Sequence, residues 1–381
     1  MSKVKTAPVF LGFFIMGFVD MVGTAASYVK ADFHLNDKQA SILPLMVFVW
    51  FAIVSLPVGM RMNEVGRRKT VLLGLALTFI SLLIPCLHYN LPLIILSFVG
   101  LGIGNVCLQV SLNALLSDVI TADKLGSGLT GGQLIKSVAS FLGPILLGVA
   151  ASVRNWQLVF PLLVFITLIN CCWLMATPVY EQKAPKSSVS FAQCFALLKE
   201  PVLLKILIGV MCIVGIDVGI NTILPKLVIE KTGWSLAKAS LATSIYFISR
   251  MVGSLAGVLL MRKESERKFF IVSVILGIIS AGLLILTTNV YAAVLLIVCA
   301  GLGVSNIFPL LFSRALQQLP QHKNEVAGLL IMGVSGGALF LPVIGAIADY
   351  ANQATSLLVV LALWGWLAYI VPKRQLKVQC C

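Results

Sequence analysis

Charge is scarce in this chain. Only 11% of its 381 residues are Asp, Glu, Lys or Arg, and acids are the scarcer sign, 14 against 28 basic residues. A soluble domain of this length covers its cores with about twice as many charges, so a water-soluble globule is excluded. Histidine is nearly absent too. His34, His88 and His322 stand far apart and make no metal or proton-transfer constellation, and no GxxxxGKS/T loop is present to cradle a nucleotide. The nine cysteines include Cys171-Cys172 and Cys380-Cys381, adjacent pairs without CxxC or zinc spacing, and most sit in apolar runs as small hydrophobes. Connections long enough to hold an extramembrane enzyme are also lacking. No enzyme activity, metal or cofactor is expected.

What is abundant is apolar surface: 59% of residues are hydrophobic and the mean hydropathy is +1.02. About 20 apolar residues cross the roughly 30 Å of bilayer hydrocarbon as a helix. An unpaired backbone group in lipid costs several kcal/mol, so the spans are expected as helices. Apolar runs predict twelve, over 8–29, 39–60, 70–87, 91–117, 127–150, 157–177, 203–229, 237–260, 269–287, 290–315, 325–347 and 353–372. The connection 178–202, Pro/Lys/Ser-rich and ending in Lys199-Glu200-Pro201, divides an N-terminal six-helix bundle (1–177) from a C-terminal bundle with a short tail (203–381). The expected fold class is therefore an all-α membrane protein of two pseudo-symmetric six-helix bundles. Lys3 and Lys5 precede the first run without a small-residue cleavage site, which reads as a retained span.

Basic residues orient the spans. One side receives Arg61, Arg67-Arg68-Lys69, Lys124, Lys183, Lys186, Arg262-Lys263, Arg267-Lys268, Arg314, Lys323 and Lys373-Arg374 with Lys377. The other receives Lys30, Lys38, Arg154, Lys231 and Lys238, partly balanced by Asp32, Asp37 and Glu230. The excess predicts both termini in the cytoplasm, and the net charge of +14 is a topology signal, with no nucleic-acid partner. An internal repeat supports two parallel halves. Asp20-Met-Val-Gly followed by Lys38-Gln-Ala-Ser resembles Asp217-Val-Gly-Ile followed by Ala237-Lys-Ala-Ser, and Gly100-Leu-Gly-Ile-Gly-Asn105 resembles Gly301-Leu-Gly-Val-Ser-Asn306. Gly128 with Pro144 is matched in the same way by Gly328 with Pro342.

Polar groups inside the spans are the candidate site. A midspan aspartate costs about 2.5–3.5 kcal/mol on insertion scales, so Asp20 and Asp217 are expected to face protein or a water-filled cavity. Each is a candidate for substrate binding or proton coupling, or for one side of a structural ion pair. Lys136 and Arg250 either balance these acids or receive an anionic solute, Arg250 as a planar fork and Lys136 as a point charge. Asn105, Gln109 and Asn113 recur at i, i+4 and i+8 on one face of the fourth helix. Gln133 precedes Lys136 by three residues, Asn221 follows Asp217 by four, and Asn306 matches Asn105 in the repeat. Such amides present donors and acceptors to sugar hydroxyls, or glue helices together. Trp50 and Tyr246 are the better-placed stacking candidates. Pro144 and Pro342 mark bending points or permanent kinks.

The loop Gly59-Met-Arg-Met-Asn63-Glu-Val-Gly66-Arg67-Arg68-Lys69 resembles the signature between the second and third helices of the major facilitator superfamily. Gly59, Asn63, Gly66, Arg67 and Arg68 fit the pattern, with Asn63 replacing the more usual Asp. The resemblance implies that this loop locks the cytoplasmic side shut when the outer side is open. Gly66 permits a tight turn, and the basic triplet is suited to acids or helix carboxyl ends, with Asp118 a partner in its own half. Gly17-Phe-Val-Asp20 and Leu108-Gln109-Val-Ser-Leu-Asn113 look most like the fucose-proton symporter branch, where Gln109 stands in place of an acidic residue. The resemblance implies a secondary transporter of a small polar solute working by alternating access, most directly uptake of a sugar or sugar acid with a proton. Proton-coupled efflux of small amphipathic compounds and uncoupled facilitated transport are the alternatives. Its expected partners are the solute, a proton and membrane lipids, in a functional monomer of a bacterial-type inner membrane.

Overall fold

A computed structural model describes residues 6–35, 37–121, 124–178, 181, 191–233, 241–261, 266–336 and 339–370. Every regular element among them is helical. The expectations that rest on Lys3, Lys5, Lys183, Lys186, Ala237-Lys-Ala-Ser240, Arg262-Lys263, residues 373–377 and Cys380-Cys381 lie outside the described residues.

The first apolar run forms α1 (Ala7–Phe18) and α2 (Val22–Asp32), joined by a single 3₁₀ turn, Val19–Met21, that carries Asp20. Then come α3 (Asp37–Val65), α4 (Arg67–Leu87), α5 (Leu91–Val119), α6 (Leu125–Val153) and α7 (Val159–Ala176). A short α8 (Phe191–Ala196) precedes α9 (Pro201–Thr232), α10 (Leu241–Leu260), α11 (Glu266–Leu286) and α12 (Val290–Val304). The described residues end in α13 (Ile307–Gln318), α14 (Lys323–Gly336), α15 (Phe340–Tyr350) and α16 (Gln353–Tyr369). Side-chain caps set several starts: Asn90 accepts from the Leu93 amide, Asn289 from Tyr291 and Ala292, and Asn352 from Thr355.

Ten of these stretches are long and apolar enough to cross a membrane, so the chain is a multi-pass membrane protein. The expected eleventh span is represented by α14 and α15, of 14 and 11 residues, and the twelfth by α16, of 17 residues. α16 alone falls short of the roughly 20 residues that a full crossing takes, and α14 and α15 stand on either side of residues 337–338, which lie outside the described residues.

By packing, the chain divides into two compact units: Met1–Glu200 with Ala315–Ser335, and Pro201–Arg314 with Gly336–Cys381. The crossing at Glu200–Pro201 falls within the expected connection 178–202, while the stretch 315–335 packs with the first unit. In the first unit α4 packs on α5 and α7, and α3 on α5. In the second, α11 packs on α12 and α16, and α10 on α12. These are the same pairings one repeat later, which is the packing signature of pseudo-symmetry.

Glycines show the register of that repeat. A Cβ on Gly102 would meet the Val47 carbonyl of α3 and one on Gly104 the Gly74 carbonyl of α4, whereas Gly301 faces Tyr246 of α10 and Gly303 faces Gly277 of α11. The packing match is thus Gly102 with Gly301 and Gly104 with Gly303, two residues away from the match of Gly100 with Gly301 that sequence suggests.

Candidate functional site

In the first unit, the break between α1 and α2 places Asp20 against α6. Its Oδ2 lies 3.6 Å from the Lys136 ammonium and accepts a 2.7 Å hydrogen bond from Ser140. Ser140 Oγ also lies 3.1 Å from the Gly17 carbonyl and 3.0 Å from that of Lys136. One hydroxyl proton serves three acceptors, and its reach to Gly17 competes with the intrahelical bond at the point where α1 gives way to the 3₁₀ turn. The helices touch closely here: a Cβ at Gly17 would run into the Lys136 carbonyl. Protein does not cover them completely, for the Asp20 and Lys136 side chains are 33% and 20% exposed.

Asn105, Gln109 and Asn113 are all buried along α5. Asn113 spends its amide N–H on the Gln109 carbonyl, 2.6 Å away. The side-chain oxygens of all three have no hydrogen-bond partner among the described residues, nor has Nε2 of Gln133 on α6. Buried polar atoms are rarely left so.

At the other end of α3, a continuous chain of side chains forms. Asn63 Nδ2 donates to Glu325 of α14, Asn324 Nδ2 donates to Asn63 Oδ1 at 2.7 Å, and Arg67 Nε donates to Asn324 Oδ1 at 2.6 Å. Arg67 also pairs with Asp118 at the end of α5, and Lys323 approaches the same acid at 3.9 Å. Arg67 is 5% exposed, so it is no mere surface anchor. Gly59 makes the contact possible: its Cβ would meet the Asn324 carbonyl at 2.6 Å and the Gly328 Cα at 3.2 Å. Gly66, at φ +90°, starts α4, and Arg68 caps the carboxyl end of α7 through the Leu174 and Met175 carbonyls. The Arg68 backbone N–H donates to the Glu181 carboxylate at 3.0 Å. Beneath this cluster, burial, with the charge of Glu325 adding to it, pushes the Cys194 thiol of α8 up to about 11.

The second unit holds a tighter charge pair. Arg250 Nη1 of α10 lies 2.8 Å from both carboxylate oxygens of Asp217 on α9, and the buried Tyr246 hydroxyl donates to Asp217 Oδ1 at 2.8 Å. Asn221 turns its amide back onto the Asp217 carbonyl. Asn306 is wholly buried and donates to the Gly253 carbonyl and to Ser305, while its Oδ1, which a Cβ on Gly257 would strike, has no hydrogen-bond partner among the described residues.

Asp20 and Lys136 thus meet, as do Asp217 and Arg250. Of the aromatic candidates, Tyr246 joins the second pair, and Trp50 packs against Gly102. Sequence reasoning missed Ser140, Asn324, Glu325 and the rim cluster around Asp32. There, Tyr89 and the Trp156 indole both donate to Asp32, and Tyr28 stacks on Trp156. Burial and Asp32 together raise the Tyr89 phenol well above its ordinary range. Glu325 carried one readable signal, a lone acid where an apolar run begins. The others carried none, because serine, asparagine and tyrosine are common in any loop or span. Among the described residues no group of three or more His, Cys, Asp or Glu is placed to hold a metal.

A multi-pass helical protein with repeated packing and compensated charges within its spans is built as a membrane carrier. The sequence profile of the Major Facilitator Superfamily matches residues 9–342 and 206–377, and the chain belongs to that family. It is accordingly a membrane carrier and not an enzyme. It is 25% identical over 376 residues to a glucose/galactose transporter of Brucella abortus, covering 94% of this chain and 90% of that one. A probable sugar efflux transporter of Helicobacter pylori is 22% identical over 337 residues, covering 87% and 85%. In fold the chain is similar to the Escherichia coli fucose:proton symporter FucP, with TM-score 0.80, 15% identity and coverage of 95% and 97%.

Proposed function

We propose that this carrier takes up a sugar or sugar acid together with a proton by alternating access, and that Asp20 is the coupling group. The observation that carries the reading is the Asp20 site. A carboxylate sits at a helix break within a span, held by one ammonium at 3.6 Å and one serine hydroxyl, and is left partly uncovered by protein. Protonation there releases Lys136 and frees the hydroxyl of Ser140 for a backbone carbonyl, so proton binding alters the contact between α1 and α6.

The unpartnered amide oxygens of Asn105, Gln109 and Asn113, with the free donor of Gln133, suit a solute rich in hydroxyls. The names of the glucose/galactose and fucose relatives agree with such a solute. The cluster of Gly59, Asn63, Gly66, Arg67, Arg68 and Asp118 is read as the cytoplasmic gate. We further take α14 with α15, and α16, as the eleventh and twelfth spans of two six-helix bundles. Both termini then lie in the cytoplasm of a bacterial-type inner membrane, and one protomer is the working unit. Sugar efflux is the second reading, favoured by the name of the Helicobacter relative.

The test is uptake into proteoliposomes under an imposed proton gradient, with labelled neutral sugars, uronates and other organic acids, for the wild type and Asp20→Asn. Wild type is expected to accumulate one class of solute against its gradient, and the variant only to equilibrate it. Accumulation unchanged in the variant removes Asp20 as the coupling group, and no uptake of any probe moves efflux to the front.

A further inference from the structure

One buried acid takes no part in either midspan charge pair. Glu325, in the first turn of α14, has a side chain only 3% exposed. Its Oε1 accepts from Asn63, while its Oε2 has no hydrogen-bond partner among the described residues. An unmet carboxylate oxygen in a buried site is costly. The basic group that faces this oxygen is Nδ1 of His322, 4.0 Å away and one turn earlier, on a side chain 43% exposed.

We propose that Glu325 is a positioning residue of the gate, and that protonation of His322 pairs the two and tightens the contact between α3 and α14. The gate thereby responds to pH on the face to which His322 opens. The inference rests on the gating role proposed above. Glu325 ends a polarised chain in which Arg67 donates to Asn324, Asn324 to Asn63, and Asn63 to Glu325. The carboxylate therefore sets the orientation of the Asn63 amide, and through it that of Asn324. Where the family signature carries an acid at position 63, this chain has the amide and keeps the acid across the contact.

The surrounding groups leave one titrating partner. On α3, Arg61 and Glu64 are exposed and paired with each other. Arg67 of α4 and Lys323 of α14 are engaged with Asp118 of α5. The Cys194 thiol of α8, pushed up to about 11, stays protonated at physiological pH. Histidine is the side chain that changes charge near neutrality.

Hydrogen exchange of the full chain in lipid nanodiscs, without solute, tests this. Protection factors are read for backbone amides at the end of α3 and in α14 between about pH 5.5 and 8, corrected for intrinsic exchange. Wild-type protection is expected to rise about two- to fivefold as pH falls, the scale of a half-exposed ion pair. His322→Gln, a change at an exposed turn, should hold the high-pH value throughout, and Glu325→Gln should be equally flat. A wild type without pH dependence, or a His322→Gln profile that follows the wild type, overturns the proposal. Uptake by the same preparation keeps the two readings apart. A pH-flat gate in a working carrier sinks this inference alone, and a pH-responsive gate in a chain that carries no sugar or acid sinks the solute assignment alone.

Discussion

Arg250 and Asp217 share two 2.8 Å contacts and a buried phenol, whereas Lys136 meets Asp20 through one longer contact and a serine. Guanidinium does not give up its proton in a protein, so the Arg250 pair is a fixed pole. The Lys136 pair is the looser and more easily exchanged of the two. Removing one partner of a buried pair strands the other, at about 3–5 kcal/mol when both are fully buried. About a quarter of each side chain is exposed here, so Arg250→Gln is expected to destabilise by about 1–3 kcal/mol. Thermal unfolding in detergent checks this. The double variant Asp217→Asn/Arg250→Gln should recover part of the loss, because no charge is then left unpaired. A double variant less stable than the single one would show that the acid has other partners of equal weight.

At the scale of elements, two breaks and one close crossing matter most. The first span breaks where Ser140 reaches the Gly17 carbonyl, and the tenth breaks between α12 and α13, where Ser305 bonds back to Leu302 and Asn306 reaches Gly253. Neither break follows from apolar patterning, since both stretches read as hydrophobic runs and the bonds at each break join a side chain of one helix to a backbone carbonyl of another, Ser140 to Gly17 and Asn306 to Gly253. The crossing of α3 and α14 depends on Gly59 and Gly328 meeting backbone to backbone. A valine at Gly59 has no space and should force the helices apart, costing about 1–3 kcal/mol as overpacking does. Faster hydrogen exchange in α14 of Gly59→Val is the expected readout, with the exchange of α9 to α12 unchanged. Exchange at the wild-type rate would mean that the crossing adjusts without opening.

For the whole molecule, the distribution of basic residues predicts which side each loop occupies. In a background without other cysteines, Lys69→Cys should label with a membrane-impermeant thiol reagent only from the cytoplasm, and Asn90→Cys only from outside. The reverse pattern would overturn the orientation and move the Asn63–Glu325 gate to the outer face.

Composition and run length were enough to determine a multi-pass helical protein, because crossing hydrocarbon demands long apolar segments with internally paired backbones. The Gly-and-basic spacing from Gly59 to Lys69 was enough for the family. The midspan charges Asp20, Lys136, Asp217 and Arg250 were legible as candidates because charge is expensive in a span. Which of them pair, that Asn306 donates to the Gly253 carbonyl, that the first run breaks at Asp20, and that 315–335 packs with the first unit were decided only by tertiary structure. Each of these depends on where a side chain from a distant segment delivers its hydrogen bond, and the spacing of residues along one helix carries no record of its neighbour.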